Sequence, residues 1–423
     1  MKEEFLHYIW QHKKINVLQL ETTQHEPLEI ISGGILNFHS GPDFFNGKLR
    51  IGGQLWADNI EIHIKSSNWF LHNHEQDPAY DNVILHVVYE HDTEIFRKDN
   101  TIIPTLELKR HIDNGLLDNY HKLFSAKRKW INCEQDFPNV SEFMLKNWLE
   151  RLYIERLERK SETVESLLKS SYNDWEAVLF KLLAKNFGLK VNADSFFSLA
   201  NSFDFSVLRK SRLKAETLEA LLFGQSGLLD KECDNLYYFQ LEEEYVFLKQ
   251  KFQLENQGVL PLQFFRLRPP NFPTIRLSQL ANLYHREQQL FSKVIAMHKV
   301  SDFYALFEVS TSAFWESHYT FGKSSKSSVK KTTKPFIDLL LINTILPLKF
   351  CYGKMNGQSI DEIILSLISS IASEKNTIVK GFNQLKYRSE SALESQALIQ
   401  LKSKYCDKNR CLKCAVGNSL LIK

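Results

Sequence analysis

The stretch GPDFFNGKLRIGGQLWADNIEIHIK, residues 41–65, sets Asp43 ahead of one apolar segment and places Glu61, His63 and Lys65 at alternate positions of the next. Side chains at i, i+2 and i+4 of a strand share a face, so these three point one way and Ile60, Ile62 and Ile64 the other. The Gly52–Gly53 pair suits a tight hairpin turn, which brings Asp43 toward the Glu61 face. Two carboxylates on adjacent strands offer hard oxygen ligands to Mg²⁺ or Mn²⁺ and leave positions open for water and phosphate. His63 or Lys65 beside them would position the attacking water or offset developing negative charge. A charged, solvated strand face is the alternative reading of the same spacing.

Three further groups carry candidate chemistry. His72 and His74, followed by Asp77 and His86, could bind Zn²⁺ or Fe²⁺ with His63 or His86 completing the site, or they could line a substrate groove. His86 alternates with Leu85 and Val87, which suits a buried, hydrogen-bonded histidine. Arg266, Arg268 and Arg276 stand among Pro269, Pro270 and Pro273. Guanidinium groups on so stiff a segment suit bidentate phosphate contacts, or else ion pairs that buttress a domain. Near the C-terminus, Cys406, Cys411 and Cys414 form a C-x4-C-x2-C pattern. Soft sulfur ligands select Zn²⁺ or an iron–sulfur cluster, and a fourth ligand is expected from Cys351, with Cys133 and Cys233 behind it.

The elements that must position these residues are legible from pattern. Ten of the fourteen histidines fall within residues 1–111, a region of short β-branched or alternating segments broken by Gly, Pro, Asn and Asp. Its first dozen residues place Phe5, Leu6, Ile9 and Trp10 on one helical stripe. From about residue 130 the apolar period becomes helical, as in Leu145, Trp148, Leu149 and Leu152. The expectation is an α+β chain: a mixed-sheet domain over residues 1–112 and a large, mainly helical domain over residues 113–423. Residues 322–334, GKSSKSSVKKTTK, hold five lysines and no acid, which predicts a mobile loop and, if functional, a phosphate-contacting arm.

Composition narrows the classes. The chain has 423 residues, 43% hydrophobic and 24% charged, with a net charge of +3, so any nucleic-acid footprint has to be local. The first residues lack a secretory apolar region, and FIDLLLINTILPLKF is interrupted by Asp338, Asn343 and Pro347, so neither a leader nor a membrane span is expected. Six cysteines in so long a chain point to a reduced, cytoplasmic compartment.

Pro42-Asp43, followed by Glu61-x-His63, resembles the PD-(D/E)xK nuclease superfamily, whose core is a helix followed by strands carrying those motifs. The resemblance implies Asp43 and Glu61 as metal ligands; the usual lysine of the third position is replaced by His63, with Lys65 on the same face. The wider set GPDF, EIH, VILHVV, EALLFGQSGLL, RLRPPNFPTIRLSQLA, LLINTILPL and YCDKNRCLKCAVG resembles a bacterial family described only as a domain of unknown function, over nearly the whole chain. The leading functional expectation is a Mg²⁺- or Mn²⁺-dependent phosphodiesterase acting on DNA or RNA. The alternatives are a non-catalytic nucleic-acid-binding or assembly module on the same fold, and a histidine-ligated metalloenzyme acting on a small molecule.

Overall fold

Why do the first residues fold into a helix? Phe5, Leu6, Ile9 and Trp10 share a stripe that is buried, and α1 spans Glu3–Gln11. A computed structural model describes residues 1–125, 129–230 and 233–422. The chain is α+β and divides into two units. Unit 1 comprises residues 1–146 and 402–423, and unit 2 comprises residues 147–401. The boundary lies beyond the residue 112 expected from the change of period, and the cysteine-rich tail belongs to the first unit. Tail membership depends on contacts distant in sequence, which periodicity does not report.

Unit 1 is built on a mixed sheet of six strands: β1 (Leu28–Ser32), β2 (Ile35–Leu36), β3 (Phe44–Ile51), β4 (Gln54–Lys65), β5 (Val83–Glu90) and β6 (Thr105–Glu107). The path runs β1-β3-β4-β5-β6, with β2 paired to β3. β3 and β4 form the expected hairpin, Ile51 opposite Gln54. Gly52 and Gly53 close it at φ +54° and +87°, values that other residues adopt only under strain. β4, β5 and β6 are parallel, and parallel neighbours need a crossover. The crossover after β4 holds a single turn of helix, α2 (Asn68–Leu71), and then His72 and His74. Helix α3 (Asn114–Phe124) follows the sheet, and Tyr120 stacks on Phe5 with centroids 4.0 Å apart.

Among the described residues, unit 2 is mainly helical and carries one small hairpin, His318–Thr320 with Lys323–Ser324. Its core contains a buried carboxylate, Glu219, on the helix Ala215–Gln225. Glu219 accepts hydrogen bonds from Tyr237 Oη and Ser312 Oγ, each at 2.5 Å, from Trp315 Nε1 at 3.1 Å, and from Ser278 Oγ. These donors come from separate segments, so one carboxyl group ties them together. Residues 322–334 are not the free loop that their composition predicts. Lys330 and Thr332 are buried, Lys330 Nζ donates to the Glu316 carbonyl at 2.6 Å, and Lys331 pairs with Glu308 at 2.9 Å. Among the described residues one helix, Lys334–Met355, is long and apolar enough to cross a membrane, and 78% of its most apolar stretch is buried inside the protein. That burial fits a core helix.

Candidate metal centre

Glu61 and His63 do share a face of β4, but that face is covered. Glu61 is 4% exposed and His63 1%, while Ile60 and Ile62 on the opposite face are fully buried. Burial of both faces excludes the solvated-face reading for these two residues. Lys65 leaves the group: its ammonium is half-exposed and lies 3.9 Å from Asp92.

Asp43 reaches Glu61 through a reciprocal pair of bonds. The Asp43 backbone N–H donates to Glu61 Oε2 at 3.0 Å, and the Ile62 N–H donates to Asp43 Oδ2 at 3.0 Å. Two local features aim Asp43. A β-bulge between Phe44 and Gly47, with Asn46 at φ +57°, turns the start of β3. The loop before it is gathered by Asn37, whose Nδ2 donates to the carbonyls of His39, Ser40 and Pro42 at 3.0–3.2 Å. His7 of α1 completes the carboxylate side, its Nε2 3.1 Å from Asp43 Oδ2.

The crossover brings the histidines. Its start is pinned by Asp92, which accepts from Ser67 N at 2.9 Å, Ser67 Oγ at 2.8 Å and Ser66 Oγ at 3.2 Å. His72 ends α2, Asn73 takes the left-handed conformation at φ +60°, and the His74 N–H returns to the Trp69 carbonyl at 3.1 Å. The two histidines therefore converge through a left-handed reversal in a loop rather than through strand alternation. Donor nitrogens of His63, His72 and His74 all lie within 4.8 Å of one another. Glu61 Oε1 stands 3.4 Å from His74 Nε2 and 3.5 Å from His63 Nε2, and His63 Nε2 faces His72 Nδ1 at 3.0 Å. Behind them His63 Nδ1 meets His86 Nε2 at 2.8 Å. Trp69 and Tyr80 wall the group; the Tyr80 ring stacks on His74 with centroids 3.7 Å apart.

The electrostatics suit a cation. Burial, then the neighbouring Asp43 carboxylate, pushes Glu61 up to about 9. Burial, then the adjacent imidazoles His86, His74 and His72, holds His63 down at about 2, and burial holds His86 down at about 3. His63 is thus a neutral imidazole, the form that ligates metals. Burial also raises Glu3, aided by Asp43, and Glu3 Oε1 is buried without a hydrogen-bond partner among the described residues. For His7 burial acts downward, but Asp43, Glu3 and Glu61 outweigh it and hold the imidazole above its usual range. Three imidazoles and a carboxylate at these separations fit a transition-metal ion better than Mg²⁺, which favours oxygen ligands throughout.

Asp43, Glu61, His63, His72 and His74 are therefore brought together. Glu3, His7 and Asn37 are additions that sequence reasoning missed; the i, i+4 spacing of Glu3 and His7 on an amphipathic helix was the available signal. The arginines lie in unit 2. Arg276 is buried, its terminal nitrogens bonded to Gln279 at 2.9 Å and Asn271 at 2.7 Å, and its guanidinium lies 3.7 Å over the Phe336 ring. It buttresses the fold. Arg266 and Arg268 are exposed, Arg266 at φ +61° with its guanidinium 5.0 Å from the Phe265 ring. Cys351 is also in unit 2, buried, with its sulfur 4.0 Å from the Ser161 carbonyl and 3.9 Å from the Met355 sulfur.

No curated protein and no solved structure matches the chain. One family model does match, over residues 3–377, a span that includes every residue of this centre. The chain belongs to the family described as protein of unknown function, DUF2851.

Proposed function

We propose that unit 1 is a metal-dependent hydrolase whose ion is held by His63, His72 and His74, with Glu61 as the adjoining carboxylate. The observation that carries this reading is the meeting of three imidazole donors with Glu61 Oε1 in a site where Glu61 and His63 are almost wholly buried. A divalent ion in such a site supplies Lewis acidity, polarising a substrate oxygen and acidifying a nearby water. Once the ion has displaced its own proton, Glu61 would accept the proton of that water. The Asp43–His7 pair, with His7 inclined to stay charged, would return a proton to the leaving group. His86 would orient His63 rather than ligate: a proton on His63 Nδ1, directed at His86 Nε2, would leave Nε2 free to hold the ion.

Phosphodiesters of DNA or RNA are the substrate class to test first. The order of a helix, a strand preceded by Asp43 and a strand bearing Glu61 supports it. A small-molecule substrate is the second reading, favoured by Lys65, whose amine is beside Asp92 and not beside Glu61. Purified protein with Zn²⁺, Mn²⁺ or Fe²⁺ is expected to cleave DNA, RNA or bis(p-nitrophenyl) phosphate. Glu61→Gln is expected to retain the fold and lose turnover. Hydrolysis of a carboxylic ester but no phosphodiester would favour the second reading. Inertness of wild type toward all of these substrates with every ion would count against hydrolysis.

A further inference from the structure

Four of the six cysteines gather in unit 1, and the fourth member of the group is Cys133, not Cys351. Cys133 sits in a tight turn, its carbonyl accepting from Asp136 N at 3.1 Å and Phe137 N at 2.8 Å. The residue before it, Asn132, is fastened to the tail twice. Its Nδ2 lies 3.2 Å from Asn409 Oδ1 and 3.4 Å from Cys411 Sγ. An amide proton directed at sulfur is the kind of second contact that orients a thiolate ligand.

The tail is folded to present its sulfurs. Asn409 N–H returns to the Cys406 carbonyl at 3.1 Å, with Asn409 itself in the left-handed conformation at φ +53°. Cys411–Lys413 form a single 3₁₀ turn, and the Cys414 N–H closes on the Cys411 carbonyl at 3.2 Å. The helix Ala415–Leu421 then packs so closely on this turn that a Cβ at Gly417 would fall 2.1 Å from the Cys411 carbonyl oxygen. Cys133, Cys411 and Cys414 are buried, and all six cysteines are thiols. Asn132 directly precedes Cys133, so its contacts with Asn409 and Cys411 Sγ bring the Cys133 turn against the cysteine-bearing tail.

We propose that Cys133, Cys406, Cys411 and Cys414 bind one thiophilic metal centre, a zinc ion or an iron–sulfur cluster, that staples the C-terminal tail to unit 1. Its role is structural. All of unit 2 lies in sequence between Cys133 and Cys406, so the staple closes a very long loop, where cross-linking removes the most chain entropy. It also bears on the neighbouring loop: Lys413, inside the cysteine turn, lies 5.2 Å over the Phe38 ring in the segment that leads to Asp43.

The test uses the full chain, isolated anaerobically without added metal, with zinc, iron and acid-labile sulfide measured and the metal's ligands read by X-ray absorption. Sulfur-ligated zinc at about one ion per chain, or iron with matching sulfide and visible absorption, is the expected result. Cys133→Ser is expected to lose that metal and Cys351→Ser to keep it. A His72→Ala/His74→Ala variant also keeps it, which separates this centre from the histidine site. Should Cys133→Ser be insoluble, alkylation of the native wild type decides. Protection of the four cysteines until the metal is stripped by a chelator under denaturing conditions supports the staple. Wild type with no sulfur-ligated metal, or Cys133→Ser with a full complement, would overturn it.

Discussion

His63 uses both ring nitrogens, Nδ1 toward His86 and Nε2 toward His72, so its tautomer couples the buried side of the site to its open side. This arrangement has a pH signature in metal-free protein. His63 and His86 titrate at about 2 and about 3 in the fold, against 6.5 for an ordinary histidine. Below pH 6.5 the unfolded chain takes up protons that the native state refuses, so stability falls as pH falls. Glu61 works the other way: titrating at about 9 rather than 4.5, it keeps a proton that the unfolded chain has lost, so stability falls as pH rises from 4.5 toward 9. Urea midpoints of chelator-treated protein are expected to drop on both sides of about pH 6.5, the ordinary histidine value. Glu61→Gln flattens the alkaline limb and His86→Asn the acid limb; unchanged limbs in both variants would refute the assignment. Metal binding must displace the Glu61 proton, so affinity should rise about tenfold per pH unit between roughly pH 7 and 9 in wild type and stay flat in Glu61→Gln, measured by calorimetry.

At the scale of elements, the site depends on two short loops gathered by side-chain hydrogen bonds. Asn37 collects three carbonyls ahead of Asp43, and Asp92 collects three donors ahead of α2. Asn73 supplies the left-handed residue that lets His72 and His74 converge. Asn73→Val is expected to cost about 1–2 kcal/mol, the penalty for a β-branched residue in that conformation, and to weaken metal binding; Asn73→Gly should do neither. Thermal melts and metal titration of the two variants check this. The strands, the Gly52–Gly53 hairpin, α1 and the Asp43–Glu61 approach were legible in the sequence because alternation, paired glycines and a 3.6-residue period are local signals. Convergence of His72 and His74 was not, since it rests on one left-handed asparagine. The contribution of His7 was hidden because it arrives from a helix far away in sequence. Residues 322–334 misled through composition alone: a lysine can be buried when backbone carbonyls receive its ammonium, as they do for Lys330.

At the scale of the molecule, each unit holds a buried cluster of hydrogen-bonded polar side chains. In unit 2 Glu219 collects hydroxyl and indole donors from several segments, and Glu219→Ala would strand them in the core. A loss of about 2–4 kcal/mol is expected by denaturant titration, more than the ~1 kcal/mol of an average substitution. In unit 1 the returning tail packs on α3, where Asn119 Nδ2 reaches the Leu421 carbonyl at 3.3 Å. Truncation after Leu401 is therefore expected to destabilise unit 1 although no histidine ligand is removed, which limited proteolysis would show as faster cleavage within residues 1–146. The central claim is the histidine-held ion, and anomalous diffraction from crystals soaked in Zn²⁺ or Mn²⁺ tests it most directly. The expected result is a peak about 2.0–2.3 Å from donor nitrogens of His63, His72 and His74, absent in His72→Ala/His74→Ala. A crystal saturated with either ion and showing no peak among these three histidines would contradict the account.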